Sequence, residues 1–170
     1  RYTMHEQHKK SVGFVEAFVL FWKRYIDFNG RSRRSEFWFM VLWTTIINIV
    51  LNSLDALLGL NQSFDNTSFG LTTLFEIASF IPWVALLARR FHDTGNTMVV
   101  PIIFTALLVI ERILLFVDLG DGMFATIVDA IISIAQLVFV IWVIVVGVQK
   151  SQEGHNAYGP EPVGQRYKHA

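Results

Sequence analysis

Five arginines stand in two tight groups, Arg31, Arg33 and Arg34 in one and Arg89 and Arg90 in the other. Guanidinium groups grip phosphate in a planar, bidentate fashion, and clustered arginines are what such recognition needs. In a chain this apolar, the nearest phosphates are lipid headgroups. Asp27, Glu36, Asp93 and Glu153 belong to the same side of the membrane as these arginines, so positive-inside topology with salt bridges to them is the competing reading. His92 beside Asp93 has the composition of a general base with its orienting acid, and with His155 it offers two metal ligands. Adjacent residues of a turn seldom orient one another, however, and two histidines without a fixed spacing do not define a metal site. No catalytic residue, metal or cofactor is therefore assigned. Asp93 is expected to cap backbone amides of a turn while His92 bonds a neighbouring segment. Tyr158, Gly159 and Pro160 read as a rigid turn able to dock the C-terminal segment.

A second set of ionisable residues sits inside apolar runs: Asp55, Glu76, Glu111 with Arg112, and Asp129. Counted from the outer end of each run, all lie roughly 8 to 10 Å inside the hydrocarbon boundary at a rise of about 1.5 Å per residue. Ionisable groups at that depth are costly and should face one another or a wet cavity. Four acids against one arginine leave at least one carboxyl to be protonated, to share a proton or to hold a cation. Glu111 and Arg112 point about 100° apart on a helix, so each must find its partner elsewhere, Arg112 with Asp129 or Asp55. Asn48, Asn52 and Asp55 line one face of their run, and Gln136 offers a further polar partner near the midplane. These residues read either as an ion or proton site or as a polar seam that keeps helices in register.

The elements that must position both sets are four apolar runs, 37–60, 70–88, 99–117 and 123–148, each about the 20 residues needed to cross a bilayer. The fold class expected is all-α: a four-helix membrane bundle in a domain over 12–162, between tails at 1–11 and 163–170. A composition that is 53% hydrophobic, with a mean hydropathy of +0.45, supports it. From Val12 to Phe28, apolar residues Phe14, Val15, Phe18, Trp22, Tyr25 and Ile26 recur at helical spacing, which predicts an amphipathic helix in the membrane interface. Asn29 and Gly30 end it, Ser32 is the predicted N-cap of the next helix, and Glu36 suits that helix's first turn. Pro82 should kink the second span and free a carbonyl for another contact.

Orientation follows from the basic residues. Lys23, Arg24, Arg31, Arg33 and Arg34 precede the first run, Arg89 and Arg90 follow the second, and Lys150, Arg166 and Lys168 follow the fourth; the other two connections have none. Both termini and the middle loop should face the cytoplasm. The polar N-terminus does not resemble a cleavable signal, so the first span is expected to direct insertion. With no cysteine and zero net charge, disulfides and thiolate chemistry are excluded, and nothing favours nucleic acid.

Three strings, DFNGRSRRSEFW at 27–38, ARRFHDTGN at 88–96 and GHNAYGPEP at 154–162, occur in that order with apolar runs between them. They resemble the YhaH-like bacterial inner-membrane proteins, domain-of-unknown-function family 805. The resemblance implies a four-span protein of the cytoplasmic membrane with an unassigned activity. Matched motif by motif, it points to Phe28, Gly30, Arg31, Arg33, Phe37 and Trp38; to Arg89, Arg90, His92, Asp93 and Gly95; and to Asn156, Tyr158, Gly159 and Pro160. Where the family usually continues with a small residue, glycine and tryptophan, this chain has Asn96, Thr97 and Met98, and Ala157 stands where a basic residue is common. The function expected is non-enzymatic: a lipid- or protein-binding or regulatory membrane protein, with anionic headgroups, a membrane protein or a second copy as partner. A small ion- or proton-coupled transporter or channel is the alternative.

Overall fold

The computed structural model describes residues 12–60, 69–114 and 122–162, with the Arg112 side chain set aside. These residues form five helices: α1 (Phe14–Lys23), α2 (Arg34–Leu57), α3 (Leu71–Asp93), α4 (Val99–Leu114) and α5 (Met123–Val148). Among the described residues three helices, α2, α3 and α5, are long and apolar enough to cross a membrane, while α4 is a shorter apolar helix. The last residues of the run expected at 99–117 lie outside the described residues, as do both tails.

Local chemistry explains most of the helix ends. At the start of α1, Gly13 is extended (φ −77°, ψ 165°) and donates its N–H to the Glu16 carboxylate at 3.2 Å. The helix stops at Lys23, earlier than the apolar spacing predicted, because Arg24, Asp27 and Asn29 form their own hydrogen-bonded turn. α2 begins three residues before the expected span, and its N-cap is Arg33, not Ser32. At its far end Gly59 adopts φ 70° and the Leu60 N–H returns to the Asp55 carbonyl at 2.9 Å. α3 runs five residues past the expected boundary, so Arg89, Arg90, His92 and Asp93 belong to its last turns. Gly95 at φ 79° then lets the Asn96 N–H close on the Phe91 carbonyl at 2.9 Å.

Burial is concentrated at one end. Phe21, Phe37, Met40 and Leu86 form a buried cluster wrapped by Phe18, Trp22, Trp38, Trp43, Trp83 and Val143. α1 is part of that core and packs on both α2 and α3. Its buried line is Ala17, Leu20 and Phe21, whereas Val15 and Ile26 of the predicted stripe are exposed. Phe14 stacks on Trp43 with ring centroids 4.4 Å apart, and the Trp43 indole N–H donates to the Phe14 carbonyl at 2.9 Å. Pro82 has no N–H for the Ala78 carbonyl one turn back, and the Tyr25 hydroxyl donates to that oxygen at 2.7 Å. α5 approaches α2 closely at Gly147, where an added Cβ would lie 2.9 Å from Phe37 and 3.1 Å from Trp38. Away from this end, α2, α4 and α5 present rows of exposed apolar side chains such as Ile49, Ile103, Ile131 and Ile134, the surface expected of lipid-facing helices.

Candidate functional site: the arginine cap

The helix ends bring the three arginine-bearing and glycine-bearing strings together beneath that core. Arg31 follows Gly30, whose φ of 82° turns the chain inward, and Arg31 and Asp93 are fully buried as a pair with Nε 3.0 Å from Oδ1. Arg90, one turn before Asp93 on α3, donates Nη1 to its other oxygen at 2.5 Å, and the Ser151 hydroxyl also donates there. Asp93 thus joins the loop before α2, the end of α3 and the segment after α5. The expectation that its carboxylate caps amides of the turn is not met: its acceptors go to two arginines and a serine.

The remaining guanidinium donors go largely to main-chain carbonyls. Arg31 reaches the Gly154 carbonyl at 2.6 Å and also donates to that of Gln152. Arg90 donates to the Val146 carbonyl at 3.2 Å and to those of Ser32 and Gln149, covering the open C-terminal end of α5. Arg89 donates to the Ser32 hydroxyl at 2.9 Å and to the Asp27 carbonyl at 2.5 Å, and its Nη2 lies 3.5 Å from the buried Glu36 carboxylate. Arg33 pairs with Glu161 at 3.4 Å and donates to the Pro162 carbonyl. Of the acids expected to form salt bridges, Asp27, Glu36 and Asp93 do so, whereas Glu153 is exposed and Glu161 serves Arg33.

The arginines read as phosphate clamps are therefore turned inward. Arg31, Arg89 and Arg90 are 3%, 0% and 1% exposed, too buried to present a guanidinium to a headgroup at the surface. Arg34 differs: it is exposed and donates Nη1 to the Val148 carbonyl at 3.2 Å, two residues before the exposed Lys150. At the edge of the cap Arg24 binds Asp27 at 2.8 Å. Partial burial pushes the Asp27 carboxyl up, but the Arg24 hydrogen bond and charge outweigh it and hold Asp27 below its ordinary value.

The other motif residues close the cap. The His92 ring lies flat on Tyr158, centroids 3.9 Å apart, and its Nδ1 is 3.1 Å from the Gly30 carbonyl. Asn156 donates its side-chain amide to the His92 carbonyl at 2.9 Å and pairs by its backbone with Gly159, which sits at φ 120°. Gly95 packs against Gln152, whose side chain is 3.0 Å from where its Cβ would be. Ser151 and Gln152 were not distinguished by the sequence, and Ser32, expected as an N-cap, instead accepts from Arg89, since a serine hydroxyl or a carbonyl that accepts from arginine carries no spacing signature. No group of three or more His, Asp or Glu side chains able to hold a metal occurs among the described residues.

The intramembrane set is divided among separate contacts. Asp55 is buried and accepts from the Leu71 N–H at 2.8 Å and from the Thr72 N–H and hydroxyl at 3.0 and 2.8 Å, so it caps α3 from α2. Gln136 on α5 donates to the Glu111 carboxylate on α4. Glu76 and Asp129 are exposed. Asn52 donates to the Asn48 carbonyl within its own helix, and the Asn48 Oδ1 is buried without a hydrogen-bond partner. The pairing expected for Arg112 falls outside the described side chains, and Asp55 is already engaged by α3.

Comparison with known proteins bears on the same segments. The inner membrane protein YhaH of Escherichia coli K12 is 40% identical over 75 residues, 44% of this chain and 60% of that protein. The inner membrane protein YhaI of the same strain is 36% identical over 75 residues, 44% of this chain and 58% of that protein. The aligned stretch thus spans about 60% of the length of the curated relatives it matches. No solved structure matches. The family described as protein of unknown function (DUF805) matches residues 25–160, from the turn after α1 to the docked Gly159 turn. With that match, its inner-membrane relatives and, among the described residues, three helices long and apolar enough to cross a membrane, this chain belongs to the DUF805 family and is an inner-membrane protein.

Proposed function

We propose that the protein crosses the membrane four times, with the arginine cap and both termini in the cytoplasm, and that it binds anionic lipid headgroups without acting as an enzyme. The observation that carries this is the composition of the cap. Arg31, Arg33, Arg34, Arg89 and Arg90 converge there, and among the described residues the carboxylates paired with them are Glu36, Asp93 and Glu161, five cations against three anions. Arg34 and Lys150 carry that charge to the rim, at the level where Trp38 donates to the Gly147 carbonyl at 2.9 Å. Basic side chains at such a level are drawn to anionic leaflets by about 1 kcal/mol each. The transport reading is weakened because Asp55, one of its acids, serves as a helix cap.

Purified protein titrated with phosphatidylglycerol or phosphatidylcholine tests the binding. The anionic lipid should raise the melting temperature of the native chain, and raise it less in Arg34→Gln/Lys150→Gln; equal responses to both lipids would refute it. The absence of cysteine makes topology directly testable. Single cysteines from Thr97→Cys and Glu153→Cys should react with an impermeant thiol reagent only in inverted vesicles, and reaction in intact spheroplasts would overturn the orientation.

A further inference from the structure

We propose that the segment 149–162 is a displaceable strap lying over a phosphate site, and that its main-chain carbonyls occupy the positions that phosphate oxygens take in the open form. This rests on the headgroup-binding reading and names the residues that do the binding. The first support is what the guanidiniums hold. Arg31 donates to the carbonyls of Gln152 and Gly154, Arg33 to that of Pro162, and Arg90 to that of Gln149. A carbonyl is a neutral acceptor for a donor that forms its stronger, charge-assisted bonds with anions.

The second support is how the strap is held. No side chain from 149 to 162 is buried, so no packed apolar residue fastens it. Its attachments are the Tyr158 ring on His92, the Asn156 amide on the His92 carbonyl, the Gln152 N–H on the Asp93 carbonyl at 2.9 Å, the Ser151 hydroxyl on Asp93 and the arginine contacts. When the strap lifts, these polar groups pass to water, which can bond them in turn. Water reaches the guanidiniums uncovered beneath it as well, and an entering phosphate replaces that water with charge-assisted, bidentate bonds.

The third support is charge. Glu161 arrives with the strap and pairs with Arg33, so lifting the strap removes one carboxylate from a cluster that is already net positive. The opened cluster is then more attractive to a phosphate group, while Asp93 stays on α3 to hold Arg31 and Arg90 in place. The fold supplies the release points as well: Gly154 and Gly159 take positive φ, 70° and 120°, on either side of the Asn156 anchor.

Hydrogen exchange of the full chain in neutral micelles, with and without phosphatidylglycerol, tests the strap, with inorganic phosphate and phosphatidylcholine as parallel arms. The amides of Gln152, Asn156 and Gly159 should exchange faster when the phosphate-bearing ligand is added, while those of α2 and α3 do not. An effect of phosphatidylglycerol alone makes the source a lipid; an effect of inorganic phosphate as well makes it the phosphate group in any form. Tyr158→Ala, which loosens the strap and leaves the helices intact, should tighten binding by about fivefold, the worth of one aromatic stack, and Glu161→Gln, which removes the Arg33 ion pair, should tighten it as well. Preferential binding of phosphatidylglycerol with strap exchange unchanged and affinity unaltered in both variants would overturn the strap and leave rim binding at Arg34 and Lys150 standing. No preference for the anionic lipid in any variant would overturn both.

Discussion

Removing the Asp55 carboxylate should loosen the outer end of the α2–α3 hairpin and have its main effect on stability. Asp55 accepts three hydrogen bonds at the start of α3, from the Leu71 N–H, the Thr72 N–H and the Thr72 hydroxyl, at 2.8, 3.0 and 2.8 Å. Loss of a capping acceptor costs up to about 2 kcal/mol, and loss of a partly buried anion at a helix N-terminus up to about 2 kcal/mol more. Asp55→Ala should therefore destabilise by about 1–4 kcal/mol, or about 2–15 °C in melting temperature for a chain of this size. Gly70 supplies an independent handle on the same contact. A Cβ there would lie 2.5, 2.7 and 2.9 Å from the Asp55 carboxylate atoms, so Gly70→Ala must push the cap away. The two substitutions remove one interaction, and the double variant should be within about 0.5 kcal/mol of the worse single one. The five tryptophans make fluorescence-monitored unfolding in detergent a suitable assay. An Asp55→Ala melting temperature within about 1 °C of native, or losses that add, would refute the cap and return Asp55 to the candidate ion site.

Three further outcomes follow from other contacts. Gly147→Ala places a methyl against the Phe37 and Trp38 rings at 2.9 and 3.1 Å and should cost about 1–3 kcal/mol in thermal unfolding; a neutral result would place α5 farther from α2. Tyr25→Phe deprives the carbonyl released by Pro82 of its donor, and a loss of about 1 kcal/mol is expected in the same assay, whereas no change would mean that the oxygen is otherwise satisfied. Asp27 is held below its ordinary value by Arg24, so its contribution is present above that value and lost as pH falls through the lowered one. Being partly exposed, the pair is worth less than about 1 kcal/mol; native and Asp27→Asn should differ slightly at neutral pH and converge in acid, and a difference that grows in acid would reverse the sign.

Much of this architecture is legible in the chain because hydrophobic length and helix-ending residues are local signals. The apolar runs lie where the helices form, and the three motifs belong to one family and meet at one end. The roles of the arginines were far less legible. Arg31, Arg89 and Arg90 have the composition of a phosphate clamp; their ion pairs with Asp93 and Glu36 were among the expected salt bridges, but their other partners are carbonyls such as those of Gly154, Asp27 and Val146, which any residue type would provide. Asp55 fits the polar-seam alternative, but its partner was not legible: depth in an apolar run identifies a costly group, and the N–H of Leu71 that satisfies it leaves no mark in the sequence. The stripe of α1 was displaced because Ala17, a small residue, is as fully buried as Phe21, while large Val15 faces outward. Close approach of helices favours a small side chain there, which a hydrophobicity pattern does not register.

The cap arginines act first on the protein itself, through one buried carboxylate, Asp93, that joins three segments. A double-mutant cycle of Arg31→Gln and Asp93→Asn, read by unfolding of the purified chain, measures that directly. Breaking one side of a buried pair costs about 3–5 kcal/mol, so each single variant should be strongly destabilised and the double variant should recover at least about 1.5 kcal/mol relative to their sum. Small, additive losses would contradict the claim and would mean that Arg31 is held for something other than Asp93.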